Sequence, residues 1–286
     1  MEARTTRWAE AWLAGYWLLT SAILLLGPHP STAGIHLAMW QLVAAAFLYM
    51  VSTWCERHPK ASLLFWLPWS PLFLWTYGNI DYVHKTLGWT YQDPLVRGWE
   101  HAIWGSIDPA MDWSRAWPWL WFSEIIHVCY LSYYAMVPLL LIRVWRQGGS
   151  SRTLRLILTG GVSSLVACYT VNIFFPVQGP RPIYGPLAAA LHGPVWTFCH
   201  GLLKKAAAGA AAFPSGHTSY SVTAAIMAWR WDRKLFPFYA LWAAGVVSAT
   251  IYGRFHYSVD VMAGIVLASC CAGAVISRGD EGESNP

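Results

Sequence analysis

The chain has 286 residues, of which 56% are hydrophobic and 12% are charged. Soluble domains carry about twice that charged fraction, and the 20 Trp and 14 Tyr suit the boundary between a membrane and water, where these rings are enriched. The composition favours an α-helical integral membrane protein over the alternative, a soluble protein with a large core. The net charge of +5 is too small to indicate nucleic-acid binding.

Several apolar segments approach the ~20 residues that a bilayer-spanning helix needs. In chain order they are 8–27, 33–54, 62–80, 118–145, 153–176, 215–232, 235–252 and 257–277. The third contains Pro68 and Pro71, which a membrane helix tolerates when neighbouring groups satisfy the freed carbonyls. The sequence therefore predicts an all-α integral membrane protein with about eight transmembrane helices.

The distribution of cations predicts the orientation. Most of the 19 Lys and Arg residues fall at the termini and in short loops on one side, which the positive-inside rule makes cytoplasmic. Both termini are then cytoplasmic, in a bacterial inner membrane or a eukaryotic endomembrane. Two long loops, about 81–117 and 177–214, face the periplasm, the lumen or the exterior. We expect the first to be amphipathic and to lie on the membrane surface, and the acidic tail 279–286 to be disordered.

The six cysteines contain no C-x-x-C pair, and most of them fall inside apolar segments. We therefore expect neither structural disulfides nor a metal site, and no cofactor.

Three polar clusters lie on the side of the two long loops. They are residues 179–182 (GPRP), 214–217 (PSGH) and 254–260 (RFHYSVD). Each has an ordinary explanation: a headgroup-anchoring arginine, a helix start, or an interfacial histidine. Three such clusters on one side favour a common site instead, and we expect them to meet.

The histidines and the carboxylate of these clusters suit acid, base and nucleophile chemistry. His256 and Asp260 are four residues apart and share one face if the segment is helical. A carboxylate bonded to one ring nitrogen fixes the tautomer and makes the other nitrogen more nucleophilic. His217 is a separate imidazole that can act as a general acid.

The remaining residues of the clusters suit phosphate. Arg181 and Arg254 carry planar guanidinium groups that match phosphate oxygens. Ser215 is a good N-cap, and beside Gly216 the first amides of the helix can bind an anion. Together the clusters predict a phosphoryl-transfer site that needs no metal.

These motifs resemble the type 2 phosphatidic acid phosphatase superfamily, whose signature is K-x6-R-P, then P-S-G-H, then S-R-x5-H-x3-D. The chain has R-P at 181–182, P-S-G-H at 214–217 and H-x3-D at 256–260. The superfamily also includes inositol phosphorylceramide and sphingomyelin synthases, which are phosphotransferases. The resemblance implies a six-helix catalytic core within residues 61–278, preceded by two additional helices in residues 1–60.

The resemblance implies a role for each matching residue. His256 would attack phosphorus and form a phosphohistidine, Asp260 would orient it, and His217 would protonate the leaving alcohol. The oxygens of the phosphoryl group would be held by Arg181, Ser215, Gly216 and Arg254.

The chain departs from the signature twice. Phe174 stands where the family has the lysine, so we expect Lys204 and Lys205 either to supply the missing cation or to face headgroups. The arginine of the third motif should stand at Thr250, whereas Arg254 lies four residues later. In a helix that shift of about one turn keeps the side chain on the same face.

The predicted function is hydrolysis of a lipid phosphate ester, such as phosphatidic acid or an isoprenyl (di)phosphate. The alternative is transfer of a phospho-headgroup to a lipid alcohol, which the H-Y-x-x-D form of the third motif favours. An intramembrane serine protease using Ser215, and a transporter or scaffold without chemistry, are further alternatives. The expected partners are a lipid phosphate and membrane lipids, with no nucleic acid, and the oligomeric state is left open.

Other ionisable residues lie outside the three clusters. Glu124 and His127 are three residues apart on one helix face. Ionisable groups in a membrane segment indicate a functional site, and a structural hydrogen bond to the tyrosine-rich stretch around Tyr130 is the alternative. The acids of the loop 81–117 are expected to be solvated; they are Asp93, Glu100, Asp108 and Asp112.

Overall fold

The computed structural model of the chain describes residues 7–57, 69–206 and 208–281, apart from the side chains at 55–57, 69–71, 205–206 and 280–281. Within these residues the regular structure is helical, with no strand beyond an isolated bridge between Val177 and Ala211. The predicted all-α fold is therefore confirmed.

The helices follow the predicted segments closely. They are α1 Trp8–Leu26, α2 Thr32–Arg57, α3 Trp69–Gly78, α4 Ile80–Leu87, α5 Asp93–Trp104, α6 Pro109–Ala116, α7 Leu120–Arg146, α8 Ser151–Phe174, α9 Arg181–Tyr184, α10 Pro194–Ala206, α11 Gly216–Trp231, α12 Phe236–Tyr252 and α13 Ser258–Glu281. Seven predicted segments each match one helix to within four residues. The remaining segment, 62–80, corresponds in its described part to α3. Its residues before Trp69, and those of the predicted tail after Glu281, lie outside the described residues.

Among the described residues, five helices are long and apolar enough to cross a membrane: α1, α2 to Trp54, α7, α8 and α13 to Gly279. The apolar helix α12 is shorter, at 17 residues. The predicted segment 215–232 forms α11, whose buried face carries hydroxyl side chains, among them Thr218, Ser221 and Thr223. Such a composition suits a helix that contacts protein rather than lipid.

The core forms where α11 packs against α7, α8, α12 and α13. Small residues allow the close approach. A Cβ atom at Gly160 of α8 would overlap Met227 of α11, and one at Gly161 would lie 3.0 Å from the ring of Tyr220. Helices with small residues at such positions pack closely without needing apolar side chains between them.

The two N-terminal helices are part of this bundle, because α1 packs against both α2 and α8. Between α1 and α2, the side-chain oxygen of Gln41 accepts hydrogen bonds from Thr20 (2.9 Å) and Ser21 (3.1 Å). Between α1 and α8, Glu10 forms a buried ion pair with Arg155, whose Nη1 lies 3.3 Å from Oε1. Polar contacts of this kind fix how the helices pack.

One end of the bundle, here called the site end, gathers the polar clusters. It contains the N-terminal ends of α7, α11 and α13 and the C-terminal ends of α8 and α12. The short helices of residues 79–117 and 177–206 lie over this end, where they contact the core helices. The two long connections of the chain therefore lie at the site end, together with the three polar clusters.

The buried ion pair makes a testable prediction about stability. Glu10→Ala leaves Arg155 buried opposite an apolar side chain, so we expect the free energy of unfolding in detergent to fall by about 3 kcal/mol. The exposed Arg146 is the control, and Arg146→Ala should cost less than about 0.5 kcal/mol. Equal unfolding midpoints for the two variants would contradict the structural role of the pair.

Candidate active site

A cavity of about 380 Å³ opens at the site end. Each of the three polar clusters contributes one charged or titratable side chain to its lining, namely Arg181, His217 and His256. The other polar lining residues are Tyr77, Tyr130 and Gln178. The three clusters therefore meet at one cavity, as the sequence predicts.

His256 presents one ring nitrogen to this cavity and uses the other for a structural bond. Its Nδ1 lies 2.8 Å from the carbonyl oxygen of Ala212. A carbonyl has no proton to donate, so Nδ1 carries a hydrogen, and in the neutral ring the lone pair is then on Nε2. The carboxylate of Asp260 lies beside the same nitrogen at 3.5 Å and accepts from the amide of Tyr257 at 2.8 Å. The Ala212 carbonyl is therefore the nearer partner, and Asp260 contacts the ring at longer range.

His217 faces His256 within the cavity, with ring centroids 5.7 Å apart. Its ring stacks on Tyr130 of α7, at 4.4 Å and 25°, and contacts the ring of Tyr133 at 4.3 Å. These two aromatic contacts hold the plane of the imidazole.

Ser215 joins the second cluster to the third through the backbone. Its amide donates to the carbonyl oxygen of Asp260 at 3.0 Å, and its hydroxyl caps α11 by accepting from the amide of Thr218. Close packing surrounds it, since a Cβ atom at Gly264 would lie 2.8 Å from the Ser215 carbonyl. Ser215 is fully buried and does not line the cavity, which argues against a serine nucleophile.

The neighbouring Gly216 is the first residue of α11 and also lies outside the cavity lining. Within the described part of the chain, the backbone amides of Gly216 and His217 have no acceptor. Free amides at a helix N-terminus are the groups that bind anions.

Arg181 is positioned by a tight turn. Gly179 has φ +88°, a left-handed conformation that favours glycine, and a Cβ atom there would lie 2.8 Å from the carbonyl oxygen of Phe255. The Arg181 guanidinium lies over the ring of Phe255 at 5.2 Å. Its Nη2 donates to Nδ1 of His200 at 2.9 Å. The first cluster thus packs directly against the third.

Arg254 points away from the cavity. Its Nη1 lies within hydrogen-bonding distance of the carbonyl oxygens of Tyr184, Gly185 and Pro186, at 3.0–3.4 Å, and its Nη2 donates to Ser114. The stretch is not helical, because α12 ends at Tyr252 and Arg254 has φ +58°, so the condition under which Arg254 would keep the face of Thr250 is not met. The left-handed turn directs the side chain towards residues 184–186.

The other two predicted cations, Lys204 and Lys205, are not found in the lining of the cavity as far as the described side chains show. Lys204 is exposed on α10 and does not line the cavity. The side chain of Lys205 is outside the described residues. Phe174, in the position of the family lysine, packs its ring against Trp89 at 5.7 Å.

Asp93 and Glu100 of α5 are buried, so the expectation that they are solvated is wrong. Asp93 accepts hydrogen bonds from the amides of Gln178 and Gly179, both at 2.9 Å. Glu100 accepts from the amide and hydroxyl of Ser258 and from the amide of the next residue, at 2.9–3.1 Å. The two carboxylates hold the first and third clusters from the same helix.

A sequence signal for this arrangement exists. Asp93, Val96 and Glu100 are spaced three and four residues apart, which places them on one helix face, and all three are buried. Asp93 also precedes Pro94, as expected at a helix start. This spacing indicates that one face of the helix is buried, although two carboxylates on a face would ordinarily indicate exposure to solvent.

Glu124 and His127 are structural, but their partners are not the tyrosines. Glu124 accepts from the amides of Val195 and Trp196, at 2.8 and 2.9 Å, and so caps α10. Nδ1 of the buried His127 donates to the carbonyl oxygen of Ser123 in its own helix. The tyrosines of α7 contact His217 instead.

Comparison with known proteins identifies the family. A family model described as the PAP2 superfamily matches residues 95–274, which include all three clusters. The chain belongs to the PAP2 superfamily. A PA-phosphatase related-family protein of Dictyostelium discoideum is 25% identical over 175 residues, a match that covers 52% of this chain and 31% of the relative. The chain thus matches only about a third of the relative's length. No solved structure matches it.

Together with the long apolar helices, membership of the PAP2 superfamily identifies a membrane protein. The matched region begins within α5, so Glu100 lies inside the family region whereas α1 and α2 lie outside it. The PAP2 region therefore includes part of the helix that holds the clusters in place.

The carboxylate of Asp93 gives a second testable prediction. In Asp93→Asn one oxygen is replaced by an NH2 group that faces a backbone amide. We expect the free energy of unfolding to fall by about 2 kcal/mol, and turnover to fall about tenfold or more because Arg181 is displaced.

The control is Asp112→Asn. Asp112 is 46% exposed and accepts from a single amide, that of Asp108, so the loss should be about 0.5–1 kcal/mol with turnover retained. Thermal unfolding in detergent and phosphate release measure the two effects. Wild-type turnover in Asp93→Asn would contradict the proposed role of this residue.

Proposed function

We propose that this PAP2 chain is a membrane phosphatase that hydrolyses a lipid phosphate ester through a phosphohistidine formed on His256. The observation that carries the proposal is the orientation of His256, whose Nδ1 is bonded to the Ala212 carbonyl so that Nε2 is left for the cavity shared with His217 and Arg181. A nucleophile, a proton donor and a cation are the groups that phosphoryl transfer without a metal requires.

The first step forms the phosphohistidine. Nε2 of His256 attacks phosphorus while the bond from phosphorus to the lipid oxygen breaks, and His217 gives its proton to that oxygen. Arg181 and the free amides of the first turn of α11 hold the remaining phosphoryl oxygens as negative charge develops. The Nδ1–H bond to Ala212 and the nearby carboxylate of Asp260 stabilise the positive charge on the ring of His256.

The second step returns the enzyme to its starting state. Water attacks the phosphohistidine, the bond from phosphorus to Nε2 breaks, and inorganic phosphate leaves. His217, now neutral, accepts the proton of the attacking water. The same two imidazoles therefore serve both steps.

The lipid substrate reaches the site from one face of the membrane. Loop charge in the sequence supports cytoplasmic termini, and the site end would then face the periplasm, the lumen or the exterior. The tryptophans of residues 99–121, several of them exposed, are suited to the headgroup region there. A lipid phosphate in the leaflet on that side would approach the cavity at this end of the bundle.

Substitution of the two histidines tests this mechanism. With phosphatidic acid in detergent micelles and EDTA present, we expect His256→Ala to lower phosphate release by about 10³-fold or more. His217→Ala should lower it by about 10²- to 10⁴-fold. The exposed His101 of α5 is the control, and His101→Ala should retain wild-type release. Undiminished release by His256→Ala would overturn the proposed mechanism.

A lipid phosphotransferase is a second candidate, favoured by the charge of the cavity. Among the described side chains, Arg181 is the one permanent cation in the lining, since position 174 is Phe174 and Arg254 binds carbonyl oxygens. One cation matches the single charge of a phosphodiester better than the double charge of a phosphomonoester. A phosphodiester donor would pass its phospho-headgroup to a lipid alcohol.

Radiolabelled donors with and without a ceramide or diacylglycerol acceptor distinguish the two reactions. The phosphatase proposal predicts free phosphate from phosphatidic acid at a rate independent of the acceptor. New labelled phospholipid, formed only with an acceptor and from a phosphodiester donor such as phosphatidylinositol, would instead establish the phosphotransferase.

A further inference from the structure

His200 is a histidine outside the three clusters that contacts the cation of the cavity. It lies on α10, is 6% exposed, and accepts a hydrogen bond from Nη2 of Arg181 at 2.9 Å through its Nδ1. An arginine nitrogen can only donate, so Nδ1 carries the lone pair and the ring hydrogen is on Nε2. This is the opposite tautomer to that of His256.

Aromatic contacts fix the plane of this ring. Trp196 stacks on it at 4.0 Å and 19°, and Phe255 approaches it at 5.7 Å and 36°. Trp196 in turn stacks on His192 at 3.4 Å. Trp196 and His200 are four residues apart and lie on one face of α10, and His192, just before the helix, extends the stack. The stacking therefore fixes the plane of the His200 ring.

The helix that carries His200 is itself anchored. Glu124 of α7 accepts from the amides of Val195 and Trp196 at the start of α10. The preceding Gly193 leaves the space for this carboxylate, because a Cβ atom there would overlap it. A continuous series of contacts thus joins α7 to the guanidinium of Arg181.

The chemistry of an imidazole suits this position. Burial, and then the charge of Arg181, lower the pKa of His200 to about 3, so the ring is neutral at any ordinary working pH. A carboxylate in its place would orient the arginine equally well but would neutralise its charge. A neutral acceptor holds the guanidinium and leaves its full charge for an anion.

We propose that His200 is a positioning residue that directs the Arg181 guanidinium at the phosphoryl group in the cavity, an inference that rests on the proposed function. The side chain of Arg181 lines the cavity, and its guanidinium has four N–H donors besides the one that His200 accepts. His200 acts through Arg181 alone and does not contact the phosphoryl group.

Binding of orthovanadate to the full-length protein in detergent, measured by calorimetry, tests this role without knowledge of the lipid. His200→Phe keeps a stacking ring and removes the acceptor, and it should weaken binding by about 10- to 100-fold. His200→Asn places an oxygen near the position of Nδ1 and should restore most of the affinity. The exposed His101 is the control, and His101→Phe should bind as the wild type does.

A double-mutant cycle separates positioning from general structural damage. Arg181→Ala should weaken binding at least as much as His200→Phe does. Adding His200→Phe to Arg181→Ala should change the affinity by less than about twofold. Multiplicative effects, or wild-type affinity in His200→Phe, would overturn the inference while leaving the proposed function intact. Wild-type affinity in Arg181→Ala would overturn both the inference and the proposed phosphate site.

Discussion

Carboxylates that each accept from two consecutive backbone amides determine the geometry of the site end. Asp93 and Glu100 of α5 hold the segments that carry Arg181 and His256, and Glu124 of α7 holds the start of α10. Charge-assisted bonds to amides are about twice as strong as neutral ones. In a chain with 12% charged residues, these carboxylates keep long connections in place where side-chain packing alone would leave them free to move.

The helices could be predicted from the sequence because their lengths follow from the thickness of a bilayer. The segment 215–232 correctly predicted α11, although this helix packs mainly against other helices of the protein and not against lipid. The packing of the helices could not be predicted, because it depends on close approaches such as Gly160 against Met227. Hydropathy also gave no sign that α1 is joined to α8 by Glu10 and Arg155.

The motifs predicted which residues line the cavity more reliably than which residues support it. Arg181, His217 and His256 were identified from residue type, order and spacing, and they line one cavity. Asp93 and Glu100, which support these residues, could not be predicted in this way. Carboxylates in a polar loop are expected to be exposed to solvent, and the sequence does not show which backbone amides lie opposite them. The direction of the Arg254 side chain could not be predicted, because the local sequence does not indicate the left-handed φ of +58° at this residue.

Trapping of the covalent intermediate tests whether a phosphohistidine forms on His256. The purified protein is mixed with a lipid phosphate carrying radiolabelled phosphorus, quenched in alkali within one turnover, digested with trypsin and mapped. We expect alkali-stable, acid-labile label on the peptide that follows Arg254 and contains His256, and none in a His256→Ala variant. Turnover without labelled protein, or label on another residue, would contradict the proposed mechanism.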